Sequence, residues 1–421
     1  MTPEIKRRTE QILQGEVPKG YKKTTTGIAP ADWKRYAFGD LYTERKESGN
    51  DDLPLLMVSI HSGVSDGEVD EEELPKKVKR IEDKSQYKKA VSGDLVFNMM
   101  RAWQGAIGTV RTTGMVSPAY IVAQPNDKVY PPFMDYYSRT PQMINQINRQ
   151  SYGVTDFRKR LYWDSFTPIG CILPPIAEQQ KISTILTTQD KVIELKEKRL
   201  AEKQRHKNYL MQQLLTGEKR LPGFSGEWKK VKLGDVCVVN PSKEDDYPDV
   251  VAFLGMADIG ETGNIITEHK KNYESVKAGF TPFKRGDILI AKITPCFENG
   301  KGALTDKCSF ECGFGSTEFH VLRCRAANNK FLFYHTRTDF FRKRLEAEMV
   351  GSAGQKRVQA NSIINYIILL PPLMEQTSIA EVISTADCEI DLLRQDIEQE
   401  KQKKKALMQL LLTGIVRIPN N

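Results

Sequence analysis

Apolar residues recur along positions 182–214 at alternating steps of four and three: Ile182, Leu186, then Gln189, Ile193, Lys196, Leu200, and later Leu210 and Leu214. Such a step draws one stripe along an α-helix, and its polar members interrupt the stripe without breaking the period. The run opens after "LPPIAEQQKISTIL" at Leu173, where a Pro-Pro stop leads into Glu-Gln, and it closes at Thr216-Gly217, the expected left-handed end. About forty residues of helix would be roughly 55 to 60 Å long.

The pattern is written twice. "LPPLMEQTSIAEVI" begins at Leu370, its apolar positions are Ile379, Ile383, Ala386, Ile390, Leu393, Ile397, Leu407 and Leu411, and it ends in another Thr-Gly. At a constant offset the match runs without a gap from the prolines to "LMQQLLTG" at Leu210 and "LMQLLLTG" at Leu407. Glu178 matches Glu375, Gln179 matches Gln376, Asp190 matches Asp387 and Ile193 matches Ile390, whereas the charges between are freely exchanged. A lone helix with one apolar stripe cannot hide that stripe from water, and the chain supplies one matching partner. The spacing therefore predicts that the two helices pair with each other, with Ile182, Leu186, Ile193 and Leu200 of the first and Ile379, Ile383, Ile390 and Ile397 of the second among the pairing residues. Since each helix is fed by its own globular segment, the second must run antiparallel to the first.

The globular segments repeat more faintly. "DWKRYAFGDL" at Asp32 corresponds to "EWKKVKLGDV" at Glu227, and "VSGDLVFNMM" at Val91 to "KRGDILIAKI" at Lys284, each a Gly-Asp turn feeding an apolar strand. "FMDYYSRT" at Phe133 pairs with "FLFYHTRT" at Phe331. The architecture is shared and the polar loop contents are not, which suits two domains of one fold that recognise different things. "QILQGE" at Gln11 repeats the theme of "QLLTGE" at Gln213, so the repeat is circularly arranged. The predicted fold is α/β (α+β), with two globular domains separated by two long antiparallel coiled-coil helices and an approximate twofold axis. Its expected boundaries are 1–30 (completing the circle), 31–172, 173–217 (first helix), 218–369, and 370–421 (second helix).

Charge and cysteine content narrow the setting. A net charge of +8 permits nucleic-acid binding without establishing it. Seven cysteines without a CxxC pair argue against a disulfide framework, and no apolar stretch reaches a membrane span, so a soluble protein of a reducing cytoplasm is expected.

Catalytic motifs are weak. "NPSK" at Asn240 has the outline of the Asn-Pro-Pro-aromatic corner that holds a flipped adenine, but Lys243 stands where stacking needs an aromatic ring. "CGFGS" at Cys312 lacks the context of a cofactor loop, there is no P-loop, and Cys296, Cys308, Cys312 and Cys324 have loose spacing for zinc. The five histidines sit near no Ser or Cys signature of a hydrolase. A metal-free, non-catalytic chain is the expectation.

Taken together, "LPP..EQ", the long helix, "LLTG", the "W....GD" domain entrance and a second cycle of all of them resemble the specificity subunit of type I restriction-modification enzymes, over nearly the whole chain. The resemblance implies two target recognition domains, each reading half of a split double-stranded DNA sequence, and paired helices that set the spacer. It further implies docking of two modification subunits, which use S-adenosylmethionine to methylate adenine N6, and of restriction subunits that use ATP and Mg. This chain would then bind no cofactor itself. Half-site centres about 10 base pairs apart are expected, and one added helical turn should lengthen the spacer by about 1 to 2 base pairs. A coiled-coil scaffold with two peptide- or protein-binding domains is the alternative.

Base contacts are expected from polar side chains on loops and phosphate contacts from Lys and Arg. In the first domain the candidates are Asn98, Arg101 and Gln104 (with Trp103 among them), Tyr120, and Arg158, Lys159 and Arg160. In the second they are Lys292, Thr294, Asn299, Lys301, Glu318, and Gln355, Lys356 and Arg357.

Overall fold

The computed structural model describes residues 3–24, 27–65, 67, 83–153, 158–244, 246–352 and 354–418. Its contacts divide into two units, one made of Met1–Leu195 with Ile397–Asn421 and the other of Lys196–Asp396. The predicted long helices span Ile176–Thr216 and Leu373–Leu412, and each gives part of its length to each unit.

In the first unit, a four-stranded antiparallel sheet runs in the order Tyr42–Glu44, Tyr120–Pro125, Leu95–Asn98, Ile107–Thr109. The central strand Leu95–Asn98 is buried on both faces. One face meets a core of Phe38, Phe97, Phe133, Phe166 and Trp33, in which the Phe38 and Phe166 rings stack at 4.5 Å. Each such ring contributes about 1.5 to 3 kcal/mol by leaving water. Ile182 and Leu186 of the first long helix and Leu411 and Leu412 of the second close the same core.

The second unit repeats this sheet with strands Cys237–Val239, Phe319–Cys324, Ile288–Ala291 and Gly302–Leu304 in the same order. Ile379 and Ile383 join Met211, Leu214 and Leu215 against its core of Phe331, Phe341 and Leu345. This unit also holds a second four-stranded sheet, ordered His269–Asn272, Val250–Leu254, Cys312–Gly315, Thr281–Lys284, with one parallel pair at its centre.

The repeated motifs prove to be fastenings. Gly93 (φ +98) and Gly286 (φ +89) take the left-handed turn that the Gly-Asp motif needs. The following Asp94 and Asp287 accept the backbone N–H of Val91 and Lys284 at 2.8 and 2.7 Å and pair with Arg45 and Arg323. The "EQ" after the prolines works the same way twice. Buried Glu178 accepts from the Trp33 indole at 3.2 Å and from Arg417 at 2.8 and 2.9 Å. Buried Glu375 accepts from Trp228 at 3.1 Å and from Arg220 at 2.9 and 2.6 Å. Next to them, Gln179 receives the Tyr130 N–H at 2.9 Å and Gln376 receives that of Asn328 at 2.8 Å, so each glutamine holds the entrance of the helix that follows. The N-terminal segment lies against the C-terminal tail, where the Tyr21 hydroxyl donates to the Gly414 carbonyl at 2.7 Å and Arg8 donates to that of Ile415 at 3.3 Å.

Polar members of the helical stripe pair across it. In the first unit Gln189 donates to the Glu400 carboxylate at 2.7 Å. In the second, Lys196 meets Asp396 at 2.8 Å, Lys203 meets Glu389 at 2.6 Å, and Lys207 meets Asp387. Partner numbers fall on one helix as they rise on the other, so the segments run antiparallel. Ile182, Leu186, Ile193, Ile379, Ile383, Ile390 and Ile397 are buried, whereas Leu200 is half-buried.

Candidate nucleic-acid interface

At one end of each central strand the backbone makes the same three-way junction. In the first unit Met99 N–H reaches the Ala119 carbonyl at 3.2 Å, Leu161 N–H reaches the Met99 carbonyl at 2.9 Å, and Tyr152 and Arg160 exchange two bonds at 3.2 and 3.0 Å. In the second, Lys292 N–H reaches Glu318 at 2.8 Å, Val358 N–H reaches Lys292 at 3.0 Å, and Val350 and Arg357 exchange bonds at 3.1 and 2.9 Å. Met99 therefore corresponds to Lys292, Ala119 to Glu318, Tyr152 to Val350 and Arg160 to Arg357. Tyr120 and Glu318 belong to the same loop type but are one position out of step.

The junction gathers most of the first domain's candidates. Asn98 is buried and accepts the Met100 N–H at 2.9 Å, which places it in the building of the loop. A short turn over Ala102–Gln104, closed by Gly105 at φ +105, carries Trp103, whose indole donates to the Met100 carbonyl at 3.0 Å. The Lys159 ammonium lies 5.6 Å over that indole and 3.3 Å from Asn148 Oδ1. Arg101, Gln104, Arg158 and Arg160 are exposed around it, and Tyr120 is half-buried, its hydroxyl pKa raised by burial. Two residues escaped the sequence reading: Tyr152 is 60% exposed and Tyr162 41%, their rings 5.9 Å apart beside the basic segment. Their signal was an unmatched Tyr-rich stretch flanking "TDFRKRL".

The second domain's candidates are more tightly committed. The Lys292 ammonium donates to the Thr317 carbonyl at 2.6 Å, and burial lowers its pKa. The Thr294 hydroxyl is enclosed without a partner, so it faces away from solvent, contrary to a base-contacting role on an open loop. Asn299 donates to Glu261 at 3.0 Å and Lys301 to the Met256 carbonyl at 3.1 Å. Gln355 and Lys356 are exposed. Glu318 grips Arg357 through both carboxylate oxygens, at 2.9 to 3.2 Å, and this contact holds the Glu318 carboxyl below its ordinary pKa.

Asn240 of the "NPSK" stretch takes a left-handed backbone (φ +54) and ties Val321 and His320 together, the role of a turn. No helix among the described residues is long and apolar enough to cross a membrane.

Residues 225–402 match the family described as type I restriction modification DNA specificity domain. The chain is 38% identical over 175 residues to the EcoAI specificity subunit of a type I restriction enzyme from Escherichia coli, covering 38% of this chain and 30% of that one. To the EcoEI specificity subunit, also from Escherichia coli, it is 32% identical over 197 residues, covering 46% and 33%. The alignments thus span about a third of these relatives. Against a putative type I restriction enzyme MjaX specificity subunit from Methanocaldococcus jannaschii, identity is 24% over 462 aligned positions, covering 97% of this chain and 99% of the other. In fold it is similar to the S subunit of a type I restriction-modification system from M. genitalium, with a TM-score of 0.53 at 10% identity over 92% and 96% of the two chains. A chain solved in work on type I R-M assembly gives 0.54 at 19% identity over 92% and 99%. Residues 225–402 thus match a type I restriction modification DNA specificity domain, and along nearly its whole length the chain is similar to a putative type I restriction enzyme specificity subunit.

Proposed function

We propose that this chain is the DNA-reading subunit of a type I restriction-modification enzyme, each unit recognising one half of a bipartite duplex target. The carrying observation is the three-way junction, repeated in backbone and different in side chains: an Arg- and Tyr-rich rim in one unit, a Lys-Glu-Arg cluster in the other. Equivalent frames with unlike polar surfaces are what two unlike half-sites require, because backbone geometry fixes position whereas side chains at base edges set sequence. The paired helices set the distance between the half-sites and dock modification subunits that transfer methyl from S-adenosylmethionine to adenine N6. Restriction subunits with ATP and Mg complete the nuclease. The chain itself does the reading and no bond-making.

The test is a methylome. The chain is expressed with a type I modification subunit from the same source in a host lacking adenine methylation. One split motif, methylated at one adenine in each half on opposite strands, is the expected result. An assembled complex that leaves DNA unmethylated and binds duplex without salt dependence would make a protein-binding scaffold the better reading.

A further inference from the structure

At the junction of the second unit, the Arg357 guanidinium is held in a fixed pose. Its Nε donates to Glu318 at 3.0 and 3.2 Å and its Nη2 at 2.9 Å, so the carboxylate occupies one side of the planar fork. Nη1 is steadied by the Gln355 carbonyl at 3.2 Å. Those bonds leave one N–H on each terminal nitrogen, and the side chain remains 41% exposed. Two guanidinium donors match the O6 and N7 acceptors of a guanine in the major groove. A buttressed fork also loses less side-chain freedom on binding than a free one.

The first unit supplies an internal contrast. Arg160 occupies the equivalent place, but Ala119 stands where Glu318 would be, and among the described residues Arg160 has no carboxylate partner. A long cation free to swing suits a phosphate, which carries no sequence information.

Resting on the DNA-reading role above, we propose that Arg357, positioned by Glu318, reads one guanine of the second unit's half-site, and that Arg160 contacts the backbone. Glu318 acts through Arg357 and is a positioning residue. Arg357→Lys keeps the charge but loses the fork, and Glu318→Gln keeps the shape but weakens the buttress.

The experiment maps methylation motifs for the wild type, Arg357→Lys, Glu318→Gln and Arg160→Lys, each in complex with the modification subunit. Arg357→Lys should relax a single guanine position about 10- to 100-fold, and Glu318→Gln should relax the same position less. Arg160→Lys should lower methylation evenly with both half-sites unchanged. Should Arg357→Lys be too unstable to assemble, wild-type complex on duplexes carrying 7-deazaguanine at each guanine in turn gives the same answer, because one position alone should lose binding about 10-fold or more. Even weakening by Arg357→Lys with the motif intact, or no 7-deazaguanine-sensitive position, would overturn the assignment and leave the DNA-reading role standing. Absence of any split motif from the wild type would instead remove that role, and this assignment with it.

Discussion

Tyr136 donates its hydroxyl proton to Asp190 at 2.7 Å, joining a helix of the globular part of the first unit to the long helix beside it. Tyr334 does the same for Asp387 at 2.9 Å in the second unit. Each aspartate also meets a lysine of the opposite long helix, Lys404 at 2.6 Å from Asp190 and Lys207 beside Asp387. Burial, with the neighbouring carboxylate, raises both phenol pKa values, so each hydroxyl stays a donor. Removing one hydrogen bond to a charged acceptor costs about 1.5 to 3 kcal/mol. Tyr136→Phe and Tyr334→Phe should each lower the midpoint of chemical denaturation, and wild-type midpoints in both would remove the fastening role.

Glu178 carries a heavier load. It is 1% exposed and holds both Trp33 and Arg417, so Glu178→Ala leaves a half-buried guanidinium and an indole N–H without their acceptor. A loss of about 3 kcal/mol is expected. Deleting the tail after residue 412 should destabilise through the same contact, and the two changes together should cost less than their sum.

Acid should strike the second unit in particular. Burial lowers His320 to about 4 and His335 to about 4, against an unfolded value near 6.5. Below pH 6.5 the unfolded chain takes up these protons and the folded one does not. The stabilisation is therefore complete above pH 6.5 and is lost as pH falls toward 4, by about 2 to 3 kcal/mol per histidine at most. His335→Phe, which keeps the ring against Tyr366 and Phe341, should flatten the dependence of unfolding free energy on pH between 7 and 5. An unchanged slope would count against it.

Arg158 and Arg160 are exposed on the basic rim of the first unit. Replacing both with glutamate should weaken duplex binding by the full complex and make the slope of log affinity on log salt shallower by about 2, one unit per phosphate contact. A slope equal to wild type would place this rim away from the backbone.

The long helices, their ends and their antiparallel pairing were legible in the sequence, because a seam buried every three and a half residues must recur at that spacing whatever surrounds it. The Gly-Asp turns and the "EQ" after the prolines were visible as repeats, yet their purpose was not: Glu178 and Arg417 lie 239 positions apart, and a buried ion pair leaves no local period. The polar rim of the junction was legible only in part. Sequence placed Arg101, Arg158, Arg160 and Lys356 on open loops, where the structure has them exposed, but it also offered Thr294, whose hydroxyl is enclosed. It could not separate Arg357 from Arg160, since the distinction is a carboxylate 39 residues away that the tertiary fold brings to one and not the other. Periodic burial is dictated by neighbours along the chain, so the sequence by itself determined the repeat and its helices; charge pairing across a junction is dictated by neighbours in space, so only the tertiary structure decided which cations are held and which are free.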